Sequence, residues 1–142
     1  MTLIQSAAAR SAISREWSVV RRYHNWVKSA SFTDGGFLSS QFLDFCHSLV
    51  LIHSYSVLQK ALRRLRKEKV FQAKGSELGV MMEATETTLP WLDFATVDTG
   101  RERRNRVAHQ GKSLPRLETW SYIRAIEREL VHWGVLSEQP PW

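Results

Sequence analysis

Between Phe37 and about Phe71 the chain carries Phe42, Phe45, Leu49, Val50, Leu51, Ile52, Tyr55, Leu58, Leu62 and Leu65, more apolar side chains than one stripe can hold. A helix that is apolar on most sides must be surrounded by other elements, so this stretch reads as the buried centre of a helical bundle. The segment before it, about Leu3 to Ala30, spaces Ile13, Trp17, Val20, Tyr23 or His24, and Val27 by three or four residues, the signature of an amphipathic helix. Thr33-Asp34-Gly35-Gly36 is the turn between the two.

Beyond the break at Ala73-Lys74-Gly75-Ser76, a short helix from Ser76-Glu77 to Thr88 would turn Leu78, Met81 and Met82 inward. Thr88-Leu89-Pro90 stops it, and Pro90 suits the first turn of the next helix. Trp91, Leu92, Phe94, Ala95 and Val97 lead in to a basic segment. Thr96 to Gly100 is weak helix-forming sequence, which leaves two readings: an unbroken helix, or a break with Asp98 or Thr99 as a new N-cap. After Gly111, Lys112-Ser113-Leu114-Pro115 links to a last helix, roughly Arg116 to Trp133, with Leu117, Trp120, Ile123, Ile126 and Leu130 on one face and Gly134 as its stop. No repeat, low-complexity tract or long linker interrupts this order. Residues 1–142 therefore read as one all-α domain, an up-and-down bundle of four to five helices.

At 142 residues, 43% of them apolar and 24% charged, the chain can build a core. Its single cysteine, Cys46, cannot form an internal disulfide, which points to a reducing compartment, the cytoplasm. No apolar run approaches the ~20 residues that span a bilayer, and the start, MTLIQSAAARSAISREW, has no secretory apolar core. The net charge of +6 calls for an anionic partner. On charge alone RNA, DNA, an acidic protein and a membrane surface all qualify.

The chemistry concentrates in Gly100 to Gly111, GRERRNRVAHQG. On a helix, Arg104 falls on the side of Val97, Gly100, Val107 and Ala108, an arginine within a stripe of apolar and small residues. A carboxylate such as Asp93 or Asp98 would be its structural partner; otherwise its fork is free for a ligand. Asn105 and His109 are four apart and neighbour one another. Arg104 and His109 differ by roughly 140° around the axis, a gap that the long guanidinium stem can bridge toward a shared ligand. Gly111 suits a helix stop, which leaves His109 in the last turn. Arg106 follows Glu102 by four residues and reads as a surface ion pair.

Arg104-Asn105-Arg106-Val107-Ala108-His109 resembles the Arg-Asn-x-x-x-His motif of HEPN domains, small helical proteins many of which are metal-independent ribonucleases. It lies where that family carries its motif, late in an all-helical chain and followed by a glycine and one more amphipathic helix. The resemblance implies a HEPN-like fold over 1–142, with Arg104, Asn105 and His109 as catalytic residues and no cofactor or metal. It also implies cleavage of RNA to 2′,3′-cyclic phosphate and 5′-OH ends, and a homodimer with two motifs facing one cleft. Family members of this kind act as toxins of toxin–antitoxin pairs or as abortive-infection effectors against phage, so an antitoxin or a defence-complex partner is implied too. Some family toxins carry a tyrosine, modified by a partner enzyme, two positions after the histidine; here that position is Gly111.

Arg101, Arg103 and Lys112 around the motif, with Arg63, Arg64 and Lys67 in ALRRLRKEKV, are the candidates to contact RNA phosphates. Charge runs of the latter kind are usually solvated faces. Other chemistries lack their residues: no phosphate-cradling GxxxxGK[ST], no GxGxxG after a strand, no HExxH and no paired cysteines occur. His24, His47, His53 and His132 have no ligand spacing with each other or with Cys46. The rival to the ribonuclease is a non-catalytic helical module that binds RNA or protein, or dimerises, within a larger defence complex.

Overall fold

The computed structural model describes residues 1–33 and 40–142. Five α-helices follow one another: α1 (Ala7–Thr33), α2 (Ser40–Lys67), α3 (Leu78–Thr85), α4 (Phe94–Gln110) and α5 (Arg116–His132). The described residues contain no strand, so the protein is an all-α bundle. The turn expected at Asp34-Gly35-Gly36, and Phe37, lie outside the described residues. Among the described residues no helix is long and apolar enough to cross a membrane.

The apolar stretch takes the central place its composition demands, for α2 packs against each of the other four helices. Leu51, Tyr55, Val57, Leu58, Ala61, Leu62 and Leu65 are wholly buried along it. Its first turns are different. Phe42, Phe45 and Leu49 stand 49%, 44% and 48% exposed, because α4 and α5 cover only part of that end. The side-chain pairings give the directions. Glu16 and Lys60 form an ion pair and His24 neighbours His47, so α1 and α2 run antiparallel. Asp44 with Arg116 and His47 with Trp120 make α2 and α5 parallel. Tyr55 bonds the Val97 carbonyl near the start of α4, so α4 runs against both.

Several boundaries differ from the periodicity. The first helix begins at Ala7, and Leu3 to Ser6 form an extended lead whose Leu3 N–H donates to the Trp133 carbonyl at 2.9 Å, seating Ile4 fully in the core. On α1 it is His24 that faces inward, while Tyr23 is 45% exposed. Pro90 does not open α4; Asp93 is the N-cap, accepting the Thr96 N–H, and the helix continues through Thr96 to Gly100 unbroken. Leu117 is 75% exposed, since in the first turn of α5 it points away from α2.

Charges inside the bundle are paired. Arg21 on α1 makes a two-pronged bond to Glu127 on α5, at 2.7 and 2.6 Å, and also donates to the Pro140 carbonyl. The Trp17 indole N–H completes the same carboxylate at 2.6 Å. The Arg21 head lies 3.9 Å over the Trp142 ring, which ties the C-terminal tail to α1.

Close approach of α4 depends on Gly100. A Cβ there would stand 2.1 Å from the Tyr55 hydroxyl oxygen and 2.7 Å from the Tyr122 ring. Gly100→Ala is expected to lower stability in urea unfolding by about 2–3 kcal/mol, the cost of overpacking net of the better helix propensity. Tyr55→Phe in the same chain should recover part of it by removing the nearest atom. A second expectation concerns pH. His24 and His47 are fully buried, and burial holds each imidazole down to about 4 from 6.5; the cations His47, Arg124, Lys28 and Arg21 add to this for His24, and Arg116 adds to it for His47, where Asp44 opposes. The unfolded chain then takes up protons first as the pH falls. Stability is full above about 6.5 and falls toward pH 4, by up to ~3 kcal/mol per imidazole. Urea midpoints across that range should flatten in His24→Leu.

Candidate active site

The site is organised by α4, and α4 is held at its entry by a carboxylate from another helix. Glu129 on α5, 1% exposed, accepts the N–H groups of Leu92 and Asp93 at 2.9 and 2.7 Å. Burial raises its carboxyl pKa and these two bonds work the other way. Asp93 in turn caps the helix with its side chain at the Thr96 N–H, 3.2 Å, and hydrogen bonding from the Thr96 side chain, together with that backbone bond, holds its own pKa down. Val97, Gly100 and Val107 face the core. The far end closes on Gly111 in the left-handed conformation, φ 66°, its N–H on the Val107 carbonyl.

One side of α4 is left facing α3 across an open cleft of about 530 Å³. Arg101, Arg104 and Asn105 form one wall; Glu77, Leu78, Gly79, Val80 and Glu83 form the other, with Gln59 of α2 between them. Arg101 lies against α3, where a Cβ on Gly79 would come within 3.1 Å of its guanidinium, and its Nε donates to Asp98 at 2.9 Å.

Arg104 is half-buried and pairs with no carboxylate among the described residues. Asp98 is taken by Arg101 and Asp93 by the helix cap, which removes both expected partners. One Arg104 nitrogen donates to the Asn105 Oδ1 at 2.9 Å, while its Nε is buried without an acceptor. Burial pulls its pKa down. Asn105 thus holds the guanidinium in place, and the part of the fork that lines the cleft carries no carboxylate among the described residues and can take an anion.

His109 occupies the last turn of α4 and is exposed. It is not part of the cleft lining; helix geometry puts it one turn beyond Asn105, about 6 Å along the axis. Of the other cations, Arg103 is 3.3 Å from Glu118, which also accepts from the Tyr122 hydroxyl at 2.7 Å. Arg64 pairs with Glu68 at 2.6 Å. Arg63 touches the Ser76 carbonyl at 3.4 Å, and Lys67 and Lys112 are exposed. Arg106 is exposed too, but Glu102 lies 4.0 Å from Arg101 instead of pairing with it. Arg104 and Asn105 of the motif therefore meet Arg101 in the cleft, His109 is outside its lining, and Arg63, Arg64 and Lys67 of α2 are not among the lining residues.

Gln59, Glu77, Gly79 and Glu83 went unmarked in the sequence. No spacing joins them to the motif, because α2, α3 and α4 are brought together only by packing. Among the described residues no group of three or more His, Cys, Asp or Glu is placed to hold a metal ion. No protein-family model, curated protein or solved structure matches the chain.

Because Arg104 makes no ion pair among the described residues, its removal should give a distinctive stability result. Arg104→Met keeps the stem and removes a buried, unsatisfied guanidinium nitrogen, so thermal and urea unfolding should show unchanged or higher stability, by up to ~1 kcal/mol. Arg21→Met, which strands the buried Glu127 carboxylate, should cost about 3 kcal/mol in the same assay.

Proposed function

We propose that the chain is a metal-independent endoribonuclease of the HEPN type, acting as a homodimeric toxin or antiviral effector. The observation that carries the reading is Arg104: a half-buried guanidinium, steadied by Asn105, lining an open cleft with no carboxylate paired to it among the described residues, and an exposed histidine one turn further along the same helix. That is what a phosphate site beside a proton-transfer group requires.

In the proposed reaction a histidine takes the proton from a ribose 2′-OH as the 2′-oxygen attacks the adjacent phosphorus. The bond to the 5′-oxygen breaks, and that oxygen receives a proton from a second acid. The products are a 2′,3′-cyclic phosphate and a 5′-OH, and DNA, lacking the 2′-OH, is not cut. Arg104 binds the phosphate and offsets the charge that builds on its oxygens. One chain offers one motif histidine, so base and acid come from two copies related by a two-fold axis.

The surface beside the motif suits such an assembly. Gly111 and Ser113 share a depression of about 320 Å³ with Phe42 and Phe45, and the exposed apolar side chains of α1 and α2 continue from there through Leu49 to Trp26, which is 69% exposed. The rival reading, a binding module that does not cut, rests on the exposed Arg63 and Lys67 at the end of α2.

The purified protein, incubated with RNA in excess EDTA, should yield cyclic-phosphate ends and leave DNA intact. His109→Ala and Arg104→Ala should each slow cleavage by about 100-fold or more while keeping the fold. Binding without cleavage, with a steep salt dependence that weakens in Arg63→Ala and Lys67→Ala, would establish the binding module instead.

A further inference from the structure

The two walls of the α3–α4 cleft carry opposite charge, yet they do not pair across it. Glu77 and Glu83 on the α3 side line the space without an ion-pair or hydrogen-bond partner for their carboxylates among the described residues. On the α4 side Arg101 is satisfied by its own neighbour Asp98, and Arg104 lines the space without an ion-pair partner among the described residues. Gln59 donates one of its two side-chain N–H groups to the Ser76 carbonyl at 3.1 Å, which leaves its oxygen and the other N–H for the cleft. Leu78 and Val80 supply an apolar surface between these polar groups.

A site for phosphate alone would not set two carboxylates and an amide oxygen opposite its arginines. A single nucleotide matches the whole arrangement: an anion at one end, a flat ring in the middle, and a hydrogen-bonding edge at the other. We infer that the cleft holds one nucleotide of a bound RNA strand, with its phosphate on Arg104 and Asn105 and its base edge against Glu77, Glu83 and Gln59, and that it selects bases that donate there. Guanine presents a ring N–H and an amino group side by side, a two-donor match to a carboxylate. Adenine and cytosine present one amino group, and uracil only a ring N–H between two carbonyls. The order is guanine first and uracil last. The inference deepens the ribonuclease reading, on which the identity of the strand rests; its test does not depend on cleavage.

The probe is a set of short 2′-O-methyl uridine oligomers, uncleavable because the 2′-OH is blocked, with the central residue kept as uridine or replaced by guanosine, adenosine or cytidine. Fluorescence anisotropy at low salt reads their affinity for the full chain. The oligomer with guanosine should bind about tenfold more tightly than the all-uridine one, and in Glu77→Ala/Glu83→Ala the preference should shrink to about twofold or less. Because that variant removes negative charge, its affinity for the all-uridine strand should hold or rise. Equal affinity for the four strands, or a guanosine preference that survives in the double variant, overturns the inference. RNA cut in EDTA by a protein with no base preference would sink the cleft's role and leave the ribonuclease standing. Base-selective binding by a protein that cuts nothing would do the reverse.

Discussion

The position of α4 depends on one missing side chain. At Gly100 the backbone comes close enough for the Tyr55 hydroxyl to donate to the Val97 carbonyl at 2.7 Å, with the Tyr122 ring against the same spot. That bond takes up a carbonyl inside the helix from the side, so it needs α4 within reach of α2 and not one side chain further out. Burial pushes the Tyr55 phenol pKa up, which keeps it a neutral donor. From this contact the register of α4 follows: Val107 reaches the core one face along, and Arg101, Arg104 and Asn105 are turned toward α3.

The bundle treats its buried charges in two ways. Arg21 and Glu127 satisfy each other through two bonds, and Trp17 and Pro140 take up what remains. Glu129 has two backbone donors. In both cases the desolvation cost is offset on the spot, and the gain is geometric, since they tie α1 to α5 and α5 to the start of α4. Arg104 is treated differently. It is partly desolvated, has no counter-charge, and is held by an asparagine that cannot neutralise it. His24, Arg124 and Trp133 also carry buried nitrogens without a partner, so what sets Arg104 apart is its place on the wall of the cleft.

Much of the fold was legible because helical periodicity is a local property. Val50, Leu51, Leu58, Leu62 and Leu65 mark α2, and Leu78, Met81 and Met82 mark the inward face of α3. Gly111 and Gly134 stop α4 and α5 with positive φ, as their lack of a side chain allows. The misreadings fall where a distant residue decides. α4 starts after an Asp93 cap and not at Pro90, because Glu129 holds the N–H groups of Leu92 and Asp93; of the two readings of Thr96 to Gly100, the unbroken helix is the one observed. Phe42, Phe45 and Leu117 are apolar by type but exposed, since periodicity says which residues share a face and not whether a neighbour covers it.

The candidate site divides along the same line. The order Arg104, Asn105, His109 along one helix, with Gly100 before and Gly111 after, is a matter of sequence, because spacing on a helix is set by its own hydrogen bonds. What stands opposite was decided by tertiary structure alone. The Asp98–Arg101 pair is local, three residues apart on α4, but only the packing of α2 and α3 against α4 set Glu77, Glu83 and Gln59 across a cleft from Arg104. Which charges face one another across the cleft depends on how helices pack through side chains far apart in the chain, and no local pattern encodes that.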